Sequence, residues 1–354
     1  MTRRELLQLT GAQLALAAVA PGATEPENLS YPLSLLEDRI TPRNRFFVRD
    51  HFRPPEVALD GWRLRIEGRV TRAYELNFSD LVEMPSGKLE AVLECAGNLA
   101  GGSAVSNGVW EGVPMARLLE EAKPLDDAAF VLLEGADSGQ LFEGDAPLPY
   151  ARLLPLDKCM EKSSMVAFKL NDQMLPAQNG FPARAFFPGW YGMDSVKWLR
   201  KMTLVSANDH GTIFHKSGMT RLYTRVESNG ATRQVTRLSQ TQVKSVVAWP
   251  GDGMKLPAGR HLVRGFAWSG AGGVKEVSIS TDGGASWNAA RFPAPPNQYA
   301  WAQWSYEWAA KPGEYALLSR AMDDKGRQQP LHRASERKDQ YELNWCAPQR
   351  CTVR

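Results

Sequence analysis

The sequence predicts an α+β fold in two parts, a mixed α/β domain followed by an immunoglobulin-like β-sandwich. Three observations carry this. A length of 354 residues suits about two domains. Up to residue 225, strand-like alternation is mixed with short amphipathic helices. Beyond it, short apolar runs recur between Gly, Pro and Asp turns.

In the first part, residues 21–45 are polar, proline-containing and aperiodic, which predicts an extended arm. From Trp62 to Val70, Trp62, Leu64 and Ile66 alternate with Arg63, Arg65 and Glu67, the pattern of a half-buried strand. Phe78 to Met84 predicts a short helix with Asn77 or Ser79 as its cap. Leu89 to Glu94 predicts a strand that runs straight into Cys95. Val113 to Ala122 is helical, with Leu118 and Leu119 on its apolar side. Phe130 to Glu134, Met165 to Leu170 and Val196 to Val205 are further strands. In the second part the strands are Val243 to Trp249, His261 to Trp268, Val274 to Ser280, Ala302 to Trp308 and Tyr315 to Met322. Turns such as Pro250-Gly251-Asp252-Gly253 and Asp282-Gly283-Gly284 separate them. Trp301, Trp304 and Trp308 are expected in the sandwich core and the domain interface.

Hydrophobic residues make up 43% and charged residues 23%, an ordinary globular balance. Such a chain buries a large core without disulfide staples. The net charge is +3 and no long Lys/Arg run occurs, which argues against nucleic acid as the main partner. Single arginines near the motifs suit small anions. The four cysteines, Cys95, Cys159, Cys346 and Cys351, form no CxxC or CxxCH. That excludes zinc ribbons, thioredoxin-like pairs and c-type haem attachment within this sequence. Cys346 and Cys351 are either a disulfide or two free thiols; spacing alone does not decide.

The first 20 residues read as an export signal. Arg3-Arg4 precedes Leu6-Leu7, an apolar run extends from Leu14 to Ala20, and Ala18-Val19-Ala20 is an A-x-A cleavage pattern. The run is too short to span a membrane. Paired arginines point to the Tat route, which carries folded proteins, and hence to the periplasm. The expected layout is a signal peptide at 1–20, a first domain at 21–225 and a sandwich at 226–354.

The chemistry centres on Leu93-Glu94-Cys95-Ala96-Gly97-Asn98. A cysteine between a strand end and a tight turn offers a thiolate, a soft ligand for a soft, redox-active metal. Taken alone, it reads rather as a buried small hydrophobe, which a free cysteine usually is. Phe46-Phe47-Val48-Arg49-Asp50-His51 sets a cation, a carboxylate and an imidazole beside two aromatic rings. Gly180-Phe181-Pro182-Ala183-Arg184, Pro188-Gly189-Trp190-Tyr191-Gly192 and Ser195-Val196-Lys197-Trp198 set Arg184 and Lys197 near glycine-rich turns. Backbone N–H groups and two cations are a suitable cradle for a phosphate.

In this order and spacing the segments resemble the sulfite oxidase family of molybdopterin enzymes. Gly265-Phe266-Ala267-Trp268-Ser269-Gly270 and Val277 to Trp287 resemble that family's dimerisation domain, and the likeness covers about residues 32–346. The resemblance implies a molybdopterin-binding domain followed by a dimerisation sandwich. It implies molybdenum held by Cys95 and by two dithiolene sulfurs of molybdopterin. Phe47, Asp50, His51, Asp137, Asn179, Arg184, Ser195 and Lys197 would hold the pterin and its phosphate, and Arg49 would face the substrate oxyanion. It further implies oxidation of a small sulfur compound, most simply sulfite to sulfate, with electrons passed to an external acceptor such as a cytochrome c. Alternatives are an S-oxide or N-oxide reductase on the same metal site, or a cofactor-free secreted binding protein.

The departures from the family pattern bear on substrate. Asp50 stands where the family usually has Asn, and Asn179 where it often has His. Animal sulfite oxidases follow C-A-G-N with two arginines; here Leu99 and Ala100 follow, so an arginine at position 100 is expected to strengthen sulfite binding. His215, Lys216 and Tyr223 lie where the family's active-site tyrosine is expected, and none matches it cleanly. Arg337 is a possible cation from the second domain.

Overall fold

The computed structural model describes residues 25–140, 143, 146–208, 224–229, 232–335 and 340–354. Arg3, Arg4, His215, Lys216, Tyr223 and Arg337 lie outside the described residues.

The first part is built on two five-stranded sheets. One runs Gln173–Met174, Met165–Leu170, Val105–Pro114, Gly87–Glu94, with Arg184–Phe186 also paired to Met165–Leu170. The other runs Tyr74–Leu76, Leu64–Gly68, Leu199–Ser206, Ala128–Gly139, Leu148–Pro155, where only the pairing of Leu64–Gly68 with Leu199–Ser206 is parallel. Leu64 and Ile66 are fully buried while Arg63 and Arg65 are exposed, as the alternation requires. Between the sheets lies a core of Leu64, Ile66, Leu118, Leu133, Val166 and Phe187, closed by the helices Phe78–Glu83 and Met115–Ala122. The first helix is capped by Asn77, whose side chain accepts from Asp80 N while Asp80 accepts from Asn77 N. The second starts two residues later than its sequence pattern, because Val113 and Pro114 still belong to the strand Val105–Pro114.

The second part contains a three-stranded sheet (Lys244–Trp249, Gly259–Trp268, Ala302–Ala310) and a five-stranded sheet (Met254–Leu256, Gln349–Val353, Gly313–Asp323, Val274–Ser280, Asn288–Ala289). Val247, Val263, Trp304 and Trp308 from the first pack against Val277, Ile279, Leu317 and Val353 from the second. The result is a β-sandwich, and strand alternation is its cause. A hairpin of Thr224–Asn229 and Thr232–Arg237 precedes it, so a division at 225/226 falls inside the hairpin's first strand.

A further apolar cluster joins the parts. Leu33 and Leu36 of the arm, Val92 and Val105 of the first part, and Val246, Phe266, Trp268 and Trp301 of the second are buried together. Trp301 Nε1 donates to Arg39 O at 2.6 Å. The arm carries a short strand, Asn28–Leu29, paired with Val48–Arg49. Cys346 and Cys351 are free, buried thiols, so the disulfide that their spacing allowed is not formed. Cys351 lies within the strand Gln349–Val353, opposite Tyr315, while Cys346 is held outside it by its N–H to Pro330 O. Among the described residues no helix is long and apolar enough to cross a membrane.

Candidate active site

The strand Gly87–Glu94 delivers the cysteine. Cys95 follows it directly, and the chain turns at Ala96-Gly97, closed by Asn98 N donating to Cys95 O at 2.9 Å. Cys95 N donates to Ala104 O at 3.0 Å, which ties the turn to the start of the next strand. A cavity of about 290 Å³ opens beside it. Cys95, Arg49 and the eight expected pterin contacts all line this cavity.

Different elements bring them in. Phe47, Arg49, Asp50 and His51 come from the segment held by the arm strand, where Asp50 N donates to Glu27 O at 2.9 Å. Asp137 comes from an irregularity in the pairing of Ala128–Gly139 with Leu148–Pro155, between Glu134 and Ser138. Such bulges re-aim a side chain, and here a Cβ at Gly135 would collide with the Asp137 carboxylate. Asn179 and Arg184 flank Gly180, whose φ of +107° ends a 3-10 turn as only glycine does easily. Ser195 and Lys197 follow the turn at Gly192, whose N–H donates to Glu94 O at 2.7 Å. Beneath them Arg152 and Asp194 form a fully buried ion pair at 2.8 Å.

Three buried polar atoms of the cavity walls have no hydrogen-bond partner among the described residues: Asp137 Oδ1, Asn179 Oδ1 and Arg184 Nε. Buried polar atoms are rarely left unpaired, so three around one cavity indicate a polar occupant. Two acceptors and one donor suit a pterin, which has ring N–H donors and phosphate or carbonyl acceptors. Arg184 is otherwise committed, with Nη1 to Asn179 O at 3.0 Å and Nη2 to Ser195 O at 2.7 Å. Lys197 pairs with Asp50 and donates to Gln178 O at 2.8 Å. The carboxylate at position 50 therefore offsets the lysine charge, which the family's usual asparagine would not do. Among the described residues no group of three or more His, Cys, Asp or Glu side chains could hold a metal ion by itself. A metal at Cys95 needs ligands from elsewhere, and a dithiolene pterin provides them. The residues present thus fit the cofactor.

Burial shapes the titration of the site. It pushes the Cys95 thiol up, while the Arg49 cation and a hydrogen bond from Gly97 pull it down. Burial and Arg49 lower His51. Burial lowers Arg184 to about 9 and also lowers Lys197, against the pull of Asp50. Burial raises Asp137 to about 7, against the pull of Lys197. A raised carboxyl means the folded state holds its proton more tightly than the unfolded chain. Stability therefore falls as pH rises from about 4 to about 7 and is level above that. In cofactor-free protein, Asp137→Asn is expected to raise Tm at pH 8 and leave it unchanged near pH 4. Thermal melts at both pH values check this; an equal shift at both would contradict it.

The sequence missed several participants. Tyr150 and Tyr341 also line the cavity, Tyr341 from the C-terminal segment of the second part. Neither sits in a motif. One expectation is corrected. Ala100 is 3% exposed and does not line the cavity, whereas Leu99 beside it is 62% exposed. An arginine at position 100 would have to be buried, so the sequence reading that Ala100→Arg strengthens anion binding does not hold.

The family model described as "Oxidoreductase molybdopterin binding domain" matches residues 51–213, and that for "Mo-co oxidoreductase dimerisation domain" matches 235–337. The chain is 30% identical to sulfite oxidase of Gallus gallus over 334 residues, covering 86% of this chain and 72% of the relative. The chain belongs to the sulfite oxidase family. Identity to the mitochondrial sulfite oxidase of Homo sapiens is 28%, over 88% of this chain and 62% of that one. The chain thus spans less than two thirds of the mammalian relatives' length. A nitrate reductase of Petunia hybrida is 28% identical, with 35% of its length covered. The crystal structure of the sulfane dehydrogenase SoxCD from Paracoccus pantotrophus superposes with a TM-score of 0.79 at 27% identity, covering 95% of this chain and 88% of that chain. As a member of this family the protein is an oxidoreductase that uses molybdenum-molybdopterin, and the reading as a cofactor-free binding protein is set aside.

Proposed function

We propose that this protein is a periplasmic oxidoreductase of small sulfur compounds, with sulfite as the leading substrate and an external cytochrome c as electron acceptor. The observation that carries it is the cavity in which Cys95 and Arg49 meet three unpartnered buried polar atoms. Sulfite oxidases and a sulfane dehydrogenase among the relatives support sulfur chemistry. The paired arginines Arg3-Arg4 and the Ala18-Val19-Ala20 pattern support Tat export. The match to a dimerisation domain supports a homodimer.

The bound cofactor supplies two-electron redox chemistry and transfer of an oxygen atom. The protein supplies placement and field. Cys95 would hold the metal as a thiolate, with the Arg49 cation and the hydrogen bond from Gly97 opposing the upward push that burial gives its thiol. Asp137, Asn179 and Arg184, each with an unpartnered buried atom, would hold the pterin, and Ser195 and Lys197, which line the same cavity, would bind its phosphate. Arg49 is exposed at the cavity, held by Asn28 Oδ1 at 2.6 Å, where a cation attracts and orients an oxyanion. Phe47, Leu93 and Tyr150 add apolar surface to the walls. Over one turnover sulfite and water become sulfate, two protons and two electrons.

The test is metal analysis of the purified protein together with a substrate panel of sulfite, thiosulfate, S-oxides and N-oxides, run with an artificial acceptor and a donor. The expected result is about one molybdenum per chain and sulfite-dependent reduction of the acceptor. Turnover only in the reductive direction would favour the S-oxide or N-oxide reading, for which the plant nitrate reductase is the supporting relative. Fractionation of Arg3→Lys/Arg4→Lys tests the location, which requires retention in the cytoplasm.

A further inference from the structure

Glu94, the residue before Cys95, is 2% exposed and accepts three hydrogen bonds. Asn98 Nδ2 donates to its Oε1 at 3.0 Å, Lys244 Nζ to the same oxygen at 2.9 Å, and Trp268 Nε1 to Oε2 at 2.7 Å. The last two donors belong to the sandwich. Lys244 and Trp268 face each other across its first two strands, so they arrive side by side. Lys244, itself 1% exposed, also donates from Nζ to Leu99 O at 2.7 Å. One ammonium therefore joins the residue before Cys95 to the residue after Asn98. A third grip comes from the C-terminal segment, where Glu342 N donates to Ala96 O at 2.9 Å. Residues 94, 96 and 99 are all held by the second domain, and Cys95 lies between them.

We propose that Lys244 and Trp268 are positioning residues for Cys95, so that the second domain fixes the metal-ligating sulfur through the Glu94 carboxylate. The inference rests on the reading of Cys95 as the molybdenum ligand. A charge-assisted bond is short and directional, and a carboxylate with both oxygens engaged has little freedom to rotate. A buried lysine and carboxylate are costly to desolvate, and their pairing directly behind the turn gives that cost a use. Partners of a metal ligand set its orientation, and their loss typically costs about tenfold to a hundredfold in affinity or activity.

The experiment is Mo(V) electron paramagnetic resonance of the holoenzyme reduced with dithionite, which needs no knowledge of the substrate. Trp268→Phe removes one donor and keeps a ring; Glu94→Gln/Lys244→Met removes the pair without leaving a buried charge. Molybdenum content and Tm are measured alongside. The expected result is full molybdenum content with a shifted or split signal in both variants. With sulfite as probe, kcat falls about tenfold and KM stays within about twofold. A signal and kcat like those of the wild type in both variants overturn the proposal. Cys95→Ser in the same series separates the two readings. If its signal also matches the wild type, the assignment of Cys95 has failed; if only its signal changes, the positioning role has.

Discussion

Cys95→Ser is expected to fold, take up molybdopterin and lose more than about a hundredfold in turnover, beyond the range typical of partners that only orient a ligand. Serine is close in size, and the Cys95 N–H bond to Ala104 O is a backbone contact that the substitution leaves alone. The loss comes from chemistry: a hydroxyl is a poor ligand for a soft metal. Circular dichroism and Tm report the fold, metal analysis reports loading, and steady-state sulfite oxidation reports turnover. Full turnover in a loaded Cys95→Ser enzyme would remove the centre of the account.

Arg49→Met is expected to leave loading intact and to raise the KM for sulfite. A charge-assisted contact is worth roughly 1.5–3 kcal/mol, which is about one to two powers of ten in affinity. The guanidinium is exposed at the cavity, so solvent screening favours the lower part of that range. Screening gives a second readout. Wild-type KM should rise with ionic strength, since exposed charges are screened over about 10 Å at 0.1 M salt. The variant's KM should be nearly flat. A KM unchanged by the substitution, with the salt dependence intact, would place the anion elsewhere.

What could be read from the sequence was local. Cys95 was legible because a strand pattern and a turn pattern meet at it, and the structure places that turn at Ala96-Gly97. Leu64 and Ile66 were legible from alternation, and Val274–Ser280 has the bounds the sequence suggested. Asn107-Gly108 is a pair that ordinarily marks a turn. Both residues lie inside the strand Val105–Pro114. Asn107 Nδ2 there donates to Arg39 O and to Glu90, and its N–H donates to Thr41 Oγ1. The arm thus satisfies the polar groups that would otherwise favour a turn. The pairings of Asp50 with Lys197 and of Glu94 with Lys244 join residues roughly 150 apart in sequence, and no periodicity carries such information. Ala100 shows the converse limit: a motif gave its position but not the direction of its side chain.

The most direct test of the central claim is molybdenum K-edge X-ray absorption on the loaded wild type and Cys95→Ser. Three sulfur ligands in the wild type and two in the variant are expected. The same sulfur count in both would mean that Cys95 does not bind the metal.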